Sequence, residues 1–251
     1  MLFDKIIYGP IHSRRLGTSL GVELMPLDHK LCTFNCVYCE CGWNTPVSHP
    51  QLPTRAEVKA ALETRLKEEL NLDVITFSGN GEPTLHPDFL GIIEDTCALR
   101  DQYCPTAKVS VLSNSTQLGR PDVVQALRLC DNRILKLDAG TDEMMRRIDL
   151  PVNPNLTVQQ IMEWLRTFEG DFTLQTCFLQ GEHNGQRIDN TTPEELTAWY
   201  KAVDILHPKQ IMIYVIDRKT PEEHLSKIPR AEMERIAAPL IEKGFDVSIS
   251  A

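Results

Sequence analysis

Runs of apolar residues alternate with amphipathic stretches along the chain, and the two patterns predict strands and helices by turns. A first strand is read at residues 19–25. Residues 55–70 follow as a helix, opened by Thr54 and Glu57 at capping-box spacing. Residues 73–78 are a short apolar run of the buried-strand type, and Pro87 and Asp88 start a helix reaching to about residue 100. Further strands are predicted at 108–112 and 133–138. A helix over about 158–168 then leads to a strand at 172–177. Thr192, Pro193 and Glu195 supply an N-cap, a first-turn proline and a capping-box glutamate, a strong helix start. A sixth strand is read at 210–216 and a last helix at about 230–243, with Gly244 as its C′ residue. A short apolar stretch at 245–249 follows.

Strand–helix alternation without a block of hairpins predicts an α/β fold with a parallel sheet, and six such units predict a partial (β/α)6 barrel. The expectation is a single domain over residues 1–251, with 1–18 as an N-terminal extension packed on the barrel. In parallel α/β folds the functional loops sit at the carboxyl ends of the strands. By that rule the segments to inspect are the cysteine-rich stretch after strand one, Gly79-Asn80-Gly81-Glu82 after strand two, and Ser113-Asn114 after strand three. Asp138, Gln180-Gly181 and Asp217-Arg218 follow at the ends of strands four, five and six.

With 251 residues, 42% apolar and 24% charged, the composition is that of an ordinary globular protein. A secretory leader is not expected at the first residues, nor an apolar run long enough to span a bilayer, so a cytoplasmic protein without membrane association is expected. In that compartment clustered cysteines read as metal binding or catalysis rather than as disulfides. The net charge of −9 counts against a broad polyanion-binding surface, while a local basic patch stays open.

Four of the eight cysteines fall between Cys32 and Cys41. Cys32, Cys36 and Cys39 can converge on one soft metal centre, and three thiolates are one short of the four that close an iron–sulfur cube. The competing reading is a zinc knuckle with Cys41 as fourth ligand. A single residue between Cys39 and Cys41 makes that geometry cramped. Cys97, Cys104, Cys130 and Cys177 are isolated and read as small apolar residues, and His86 as part of a helix start.

The spacing Cys32-x-x-x-Cys36-x-x-Cys39, with Tyr38 before the last cysteine, resembles the signature of the radical S-adenosylmethionine (radical SAM) superfamily. The segment Ser78-Gly79-Asn80-Gly81-Glu82-Pro83-Thr84 resembles that superfamily's glycine–glycine–glutamate segment, with Asn80 in place of one glycine. Gly9-Pro10, Ser13-Arg14-Arg15-Leu16-Gly17 and Ile216-Asp217-Arg218 resemble short iron–sulfur proteins related to wyosine-type tRNA-modifying enzymes.

The resemblance implies a [4Fe–4S] cluster on Cys32, Cys36 and Cys39 and S-adenosylmethionine at the remaining iron. It implies an enzyme that cleaves this cofactor reductively to methionine and a 5′-deoxyadenosyl radical, which abstracts hydrogen from a substrate. An electron donor such as flavodoxin or ferredoxin is the implied partner. Tyr38, Gly79, Asn80, Gly81, Glu82, Ser113, Asn114, Lys136 and Asp138 become candidates for holding S-adenosylmethionine. Glu82 would take the methionine ammonium, Ser113 and Asn114 the ribose, and Lys136 the methionine carboxylate. Lys136 and Asp138 have a second reading as an internal ion pair. Arg14 and Arg15 either meet an anionic substrate or pin the extension, and Tyr214, Asp217 and Arg218 are substrate-side candidates by position. The substrate itself, a tRNA base, a protein or peptide, or a small metabolite, stays open, as does a non-enzymatic iron–sulfur or zinc module.

Overall fold

The computed structural model describes residues 2–13 and 16–251. Arg14 and Arg15 lie outside the described residues. The chain forms two compact units, the first holding residues 1–32 and 44–134 and the second 33–43 and 135–251. The cysteine-rich stretch is therefore divided, with Cys32 in the first unit and Cys36, Cys39 and Cys41 in the second.

In the first unit β1 (Ile7–Ser13), β2 (Gly17–Val22), β3 (Val74–Phe77) and β4 (Lys108–Ser113) are neighbours in that order, followed by β5 (Asn132–Lys136), whose last two residues belong to the second unit. β2, β3 and β4 are parallel, with Val22 opposite Phe77 and Phe77 opposite Val111. Helices α1 (Arg55–Leu66), α2 (Phe89–Tyr103) and α3 (Pro121–Leu129) connect them. Leu20, Val22, Ile75, Phe77, Val109 and Val111 are fully buried, as expected of parallel strands covered on both faces. Thr54 caps α1 with the predicted box: its hydroxyl accepts the Glu57 N–H at 3.3 Å, and the Glu57 carboxylate accepts the Thr54 N–H at 2.7 Å.

The segment before residue 19, expected outside the strand–helix alternation, contains a strand: residues 7–13 form β1, antiparallel to β2, with a register shift between Tyr8 and Ile11 that accommodates Gly9-Pro10.

β5 leads into the second unit, where the order is β5, β6 (Thr173–His183), β8 (Gln210–Val215) and β10 (Val247–Ser250). β6 pairs in parallel with β8, and β8 with β10. Helices α4 (Asp142–Ile148), α5 (Val158–Leu165), α6 (Pro193–Leu206) and α7 (Arg230–Glu242) complete this unit. Trp199 of α6 is buried edge-on against Phe178, and its indole N–H donates to Thr176 at 3.0 Å. Two short antiparallel strands, β7 (Gln186–Asp189) and β9 (Leu225–Lys227), pair with the second half of β6. The strand expected to stop at residue 177 thus runs six residues further, through Gln180 and Gly181, because these partners supply the hydrogen bonds that its polar pattern did not announce.

No helix among the described residues is long and apolar enough to cross a membrane.

Candidate functional site

The first unit carries the glycine loop. Beyond β3, Gly79 and Gly81 have φ of +146° and +158°, a region that side chains disfavour. Space makes the same demand. A Cβ on Gly79 would lie 1.9 Å from a Glu23 carboxylate oxygen, and one on Gly81 would lie 1.7 Å from the Leu31 carbonyl. Leu31 and Gly81 form a parallel bridge: the Leu31 N–H donates to the Asn80 carbonyl at 2.9 Å, and the Glu82 N–H to the Leu31 carbonyl at 3.2 Å. The residue before Cys32 is thereby laced to the residue before Glu82.

Glu23, just past β2, is 1% exposed. Its carboxylate accepts the N–H of Asn80 at 2.6 Å and that of Met25 at 2.8 Å. Burial pushes its pKa up to about 7 against the pull of the Met25, Asn80 and Leu24 N–H groups. Asn80 is also fully buried. Its amide accepts the Phe3 N–H at 2.8 Å and donates to the Phe3 carbonyl at 2.8 Å and the Pro26 carbonyl at 2.9 Å.

Glu82 caps a single 3₁₀ turn at Pro83–Leu85. One carboxylate oxygen accepts the Thr84 N–H at 3.1 Å and hydroxyl at 2.5 Å, and the other accepts the Asn114 N–H at 2.6 Å. Burial raises its pKa, while these donors and the Ser113 hydroxyl pull it down. Four donors match the acceptor capacity of a carboxylate, so an incoming cation has to displace one, and the two hydroxyls are the donors able to rotate away. Asn114, following β4, donates its side-chain amide to the Cys32 sulfur at 3.4 Å.

The second unit carries the rest of the cysteine stretch. It is fastened to the end of α4, the Asn35 N–H donating to the Asp149 carbonyl at 2.8 Å and the Val37 N–H to the Ile148 carbonyl at 2.9 Å. The Glu222 N–H reaches the Val37 carbonyl at 3.3 Å. The Cys36 thiol donates to the Asp149 carboxylate at 3.3 Å. Burial, and then the charge of Asp138, raises the Asp149 pKa far above the usual carboxylate range.

Tyr38, Lys136, Asp138 and Tyr214 meet in one cluster, Tyr38 and Asp138 buried and Lys136 and Tyr214 half-buried. The Tyr38 hydroxyl donates to Asp138 and accepts from Lys136. The Lys136 ammonium donates to the Tyr214 hydroxyl at 3.0 Å and lies 3.2 Å from the Asp138 carboxylate. Burial lowers the Lys136 pKa, but the surrounding acidic groups, Asp138 foremost, outweigh it and hold the ammonium well above its ordinary range. Burial, then Asp138, raises the Tyr38 pKa. The other Asp138 oxygen accepts the Cys177 N–H at 2.8 Å. Asn190 donates to the Asp138 and Cys177 carbonyls, both at 2.7 Å, and fixes the end of this arrangement.

The candidate residues thus fall into two groups, one in each unit: Gly79, Asn80, Gly81, Glu82, Ser113 and Asn114 with Cys32, and Tyr38, Lys136, Asp138 and Tyr214 with Cys36 and Cys39. Asp217 and Arg218 are exposed; Arg218 pairs with Glu40 at 2.7 Å and Asp217 is 3.9 Å from Lys227. His86 serves its helix start, its Nδ1 accepting the Asp88 N–H at 3.1 Å while Nε2 bonds the Pro53 carbonyl at 2.8 Å. All eight cysteines lie within the described residues and none forms a disulfide. Among the described residues no three His, Cys, Asp or Glu side chains are gathered as around a single metal ion, so the metal reading rests on the donor chemistry of the thiols.

Sequence reasoning missed Glu23, Asp149 and Asn190. Glu23 had a signal, a lone carboxylate in an otherwise apolar run. The other two sit in polar segments with no local pattern.

Comparison with known proteins gives a consistent picture. The family described as "Radical SAM superfamily" matches residues 29–191. A "UPF0026 protein" of Helicobacter pylori is 30% identical over 253 residues, covering 97% of this chain and 76% of its own length. A Brachyspira hyodysenteriae protein named "GTPase Obg" is 30% identical over 239 residues, 93% of this chain, and the chain spans only 33% of that protein. Among solved structures, Streptococcus suis SuiB bound to its precursor peptide SuiA superposes with a TM-score of 0.66 at 11% identity, over 92% of this chain and 48% of SuiB. TYW1 with a lysine–pyruvate adduct bound gives 0.63 at 16% identity, over 91% of this chain and 75% of that one. At such identities the likeness speaks for the fold alone. It is mixed α/β, with a mostly parallel sheet and alternating helices, the partial-barrel fold of these structures.

Proposed function

Because the chain belongs to the radical SAM superfamily, we propose that it holds a [4Fe–4S] cluster on Cys32, Cys36 and Cys39 and S-adenosylmethionine beside it, as an enzyme whose substrate is unassigned. When bound, this pair supplies one-electron cleavage of a sulfonium C–S bond and a 5′-deoxyadenosyl radical that takes hydrogen from the substrate; the protein supplies position and exclusion of water. Residues 1–251 are read as one core domain with 1–18 as its extension, working in the cytoplasm with flavodoxin or ferredoxin as electron donor.

The bridge between Leu31 and Gly81 carries the reading, since it sets the start of the cysteine stretch beside the loop assigned to the methionine end. The residues fit such a group. The thiols are soft donors, and the amide of Asn114 on the Cys32 sulfur is the kind of hydrogen bond that tunes a cluster. Glu82 receives the methionine ammonium as the Ser113 or Thr84 hydroxyl turns aside, with Ser113 and Asn114 toward the ribose. Lys136 offers a permanent positive charge to the methionine carboxylate, and Tyr38 and Asp138 hold that ammonium in place. Arg14, Arg15, Tyr214, Asp217 and Arg218 remain the substrate-side candidates.

Anaerobic reconstitution tests the proposal. Wild type is expected to take up iron and sulfide, bind S-adenosylmethionine and, once reduced, release 5′-deoxyadenosine. Cys36→Ala is expected to lose the cluster. Glu82→Ala should keep the iron and weaken cofactor binding by about tenfold or more, as for a lost charge-assisted hydrogen bond of about 1.5–3 kcal/mol. A colourless protein with one zinc per chain would instead establish the non-enzymatic module. The substrate class is read from which cellular fraction accelerates 5′-deoxyadenosine formation. With a net charge of −9, protein or small-metabolite fractions are expected to do so ahead of bulk tRNA.

A further inference from the structure

We infer that Asn80 is a positioning residue, through which the N-terminal segment sets the shape of the loop at residues 79–82 and so its affinity for S-adenosylmethionine. The inference rests on the assignment of that loop to the methionine end.

Every polar group of Asn80 is used inside the first unit. Its N–H is held by Glu23 at 2.6 Å, and its carbonyl accepts the Leu31 N–H at 2.9 Å. Its side-chain amide pairs with Phe3 in both directions, as a neighbouring strand would, and reaches the Pro26 carbonyl as well. Both side-chain N–H donors and the main-chain N–H of this fully buried residue are committed to protein acceptors, so the side chain is occupied in holding the loop. Glycine at this position would leave the part-buried Phe3 groups and the buried Pro26 carbonyl without these bonds.

A second tie runs beside the first. The Tyr8 hydroxyl reaches both the carbonyl and the hydroxyl of Ser78 at 3.0 Å, and the Tyr8 ring stacks on Phe3 at 3.7 Å between centroids. Residues 3 and 8, braced against each other, thus grip residues 80 and 78. Gly79 lies between the two grips and against Glu23, so a shift of the N-terminal segment must move the backbone that leads to Glu82.

The test uses the full chain, reconstituted with iron and sulfide, and titrates S-adenosylmethionine by equilibrium dialysis. Hydrogen exchange is followed in parallel on the same variants before the cofactor is added. Asn80→Ala is expected to keep the iron content, weaken binding about tenfold, and speed exchange at residues 2–8 and 78–82. Tyr8→Phe, which keeps the ring stack, should move binding and exchange the same way by about threefold and carries the test should Asn80→Ala fold poorly. Val58→Ala, in α1 away from the loop, is the control: its melting temperature falls while affinity stays at the wild-type value.

Wild-type affinity in Asn80→Ala and Tyr8→Phe, with Glu82→Ala impaired, overturns the inference and leaves the loop assignment standing. Affinity lost equally in Val58→Ala, or iron lost from Asn80→Ala, also overturns it. Wild type and Glu82→Ala binding alike overturns the loop assignment itself.

Discussion

Glu23 is a carboxylate at 1% exposure whose hydrogen bonds come from main-chain N–H groups. Its pKa is raised from 4.5 to about 7, chiefly by burial. Between those values the folded state binds a proton that the unfolded state has released. Glu23 therefore contributes stability that is full below about pH 4.5 and is lost as the pH rises through 7. The expected contribution is a downward slope of stability across this window approaching one proton, about 1.4 kcal/mol per pH unit. Thermal or urea melts of wild type and Glu23→Gln check it: the glutamine variant should lose that slope and be less stable at low pH, since its amide then faces an N–H. An unchanged slope would clear Glu23 of the effect. The same residue shows where sequence reading stops. Cys32, Cys36, Cys39 and Glu82 stand out in the sequence as candidates because they fall in short local spacings. Glu23 meets Asn80 across 57 residues, and Cys36 meets Asp149 across 113. No local pattern encodes such a pairing.

At the scale of elements, the helix starts were the most readable features, because a cap is a contact between residues three apart. Thr54 and Glu57 form the predicted box on α1, and the Thr192 hydroxyl accepts the Glu195 N–H at 3.3 Å ahead of α6. Thr54→Ala is expected to cost about 1 kcal/mol in chemical denaturation and to leave S-adenosylmethionine affinity untouched. The parallel strands were readable as apolar runs. The antiparallel ones were not. β1 contains Gly9-Pro10, which reads as a break, and only its position at the edge of the strand order, with the shift at Tyr8 and Ile11, lets it pair. β7 and β9 are short and mostly polar, and nothing but their pairing with β6 makes them strands. α4 is missing from the reading for a related reason: at seven residues, four of them charged, it is too short to display a period.

At the scale of the whole molecule, the chain visits its units in a discontinuous order, and residues 33–43 belong with 135–251. A fragment ending at residue 134 would keep Cys36, Cys39 and Cys41 but lose the Asp149, Ile148 and Glu222 main-chain groups that shape them. Such a fragment is expected to retain no iron after reconstitution and to exchange rapidly across 33–43. Full iron retention would show that this stretch needs none of those partners. β6 has a different consequence. Its first half, Thr173 to Phe178, belongs to the parallel ladder with β8, and its second half carries β7 and β9. One strand thus serves as a rail for the parallel ladder along its first half and as a docking edge for two short strands along its second. A change within β7 therefore reaches Asp138 and Cys177 through Asn190, the residue that directly follows it, while the parallel register with β8 rests on the other half of the strand.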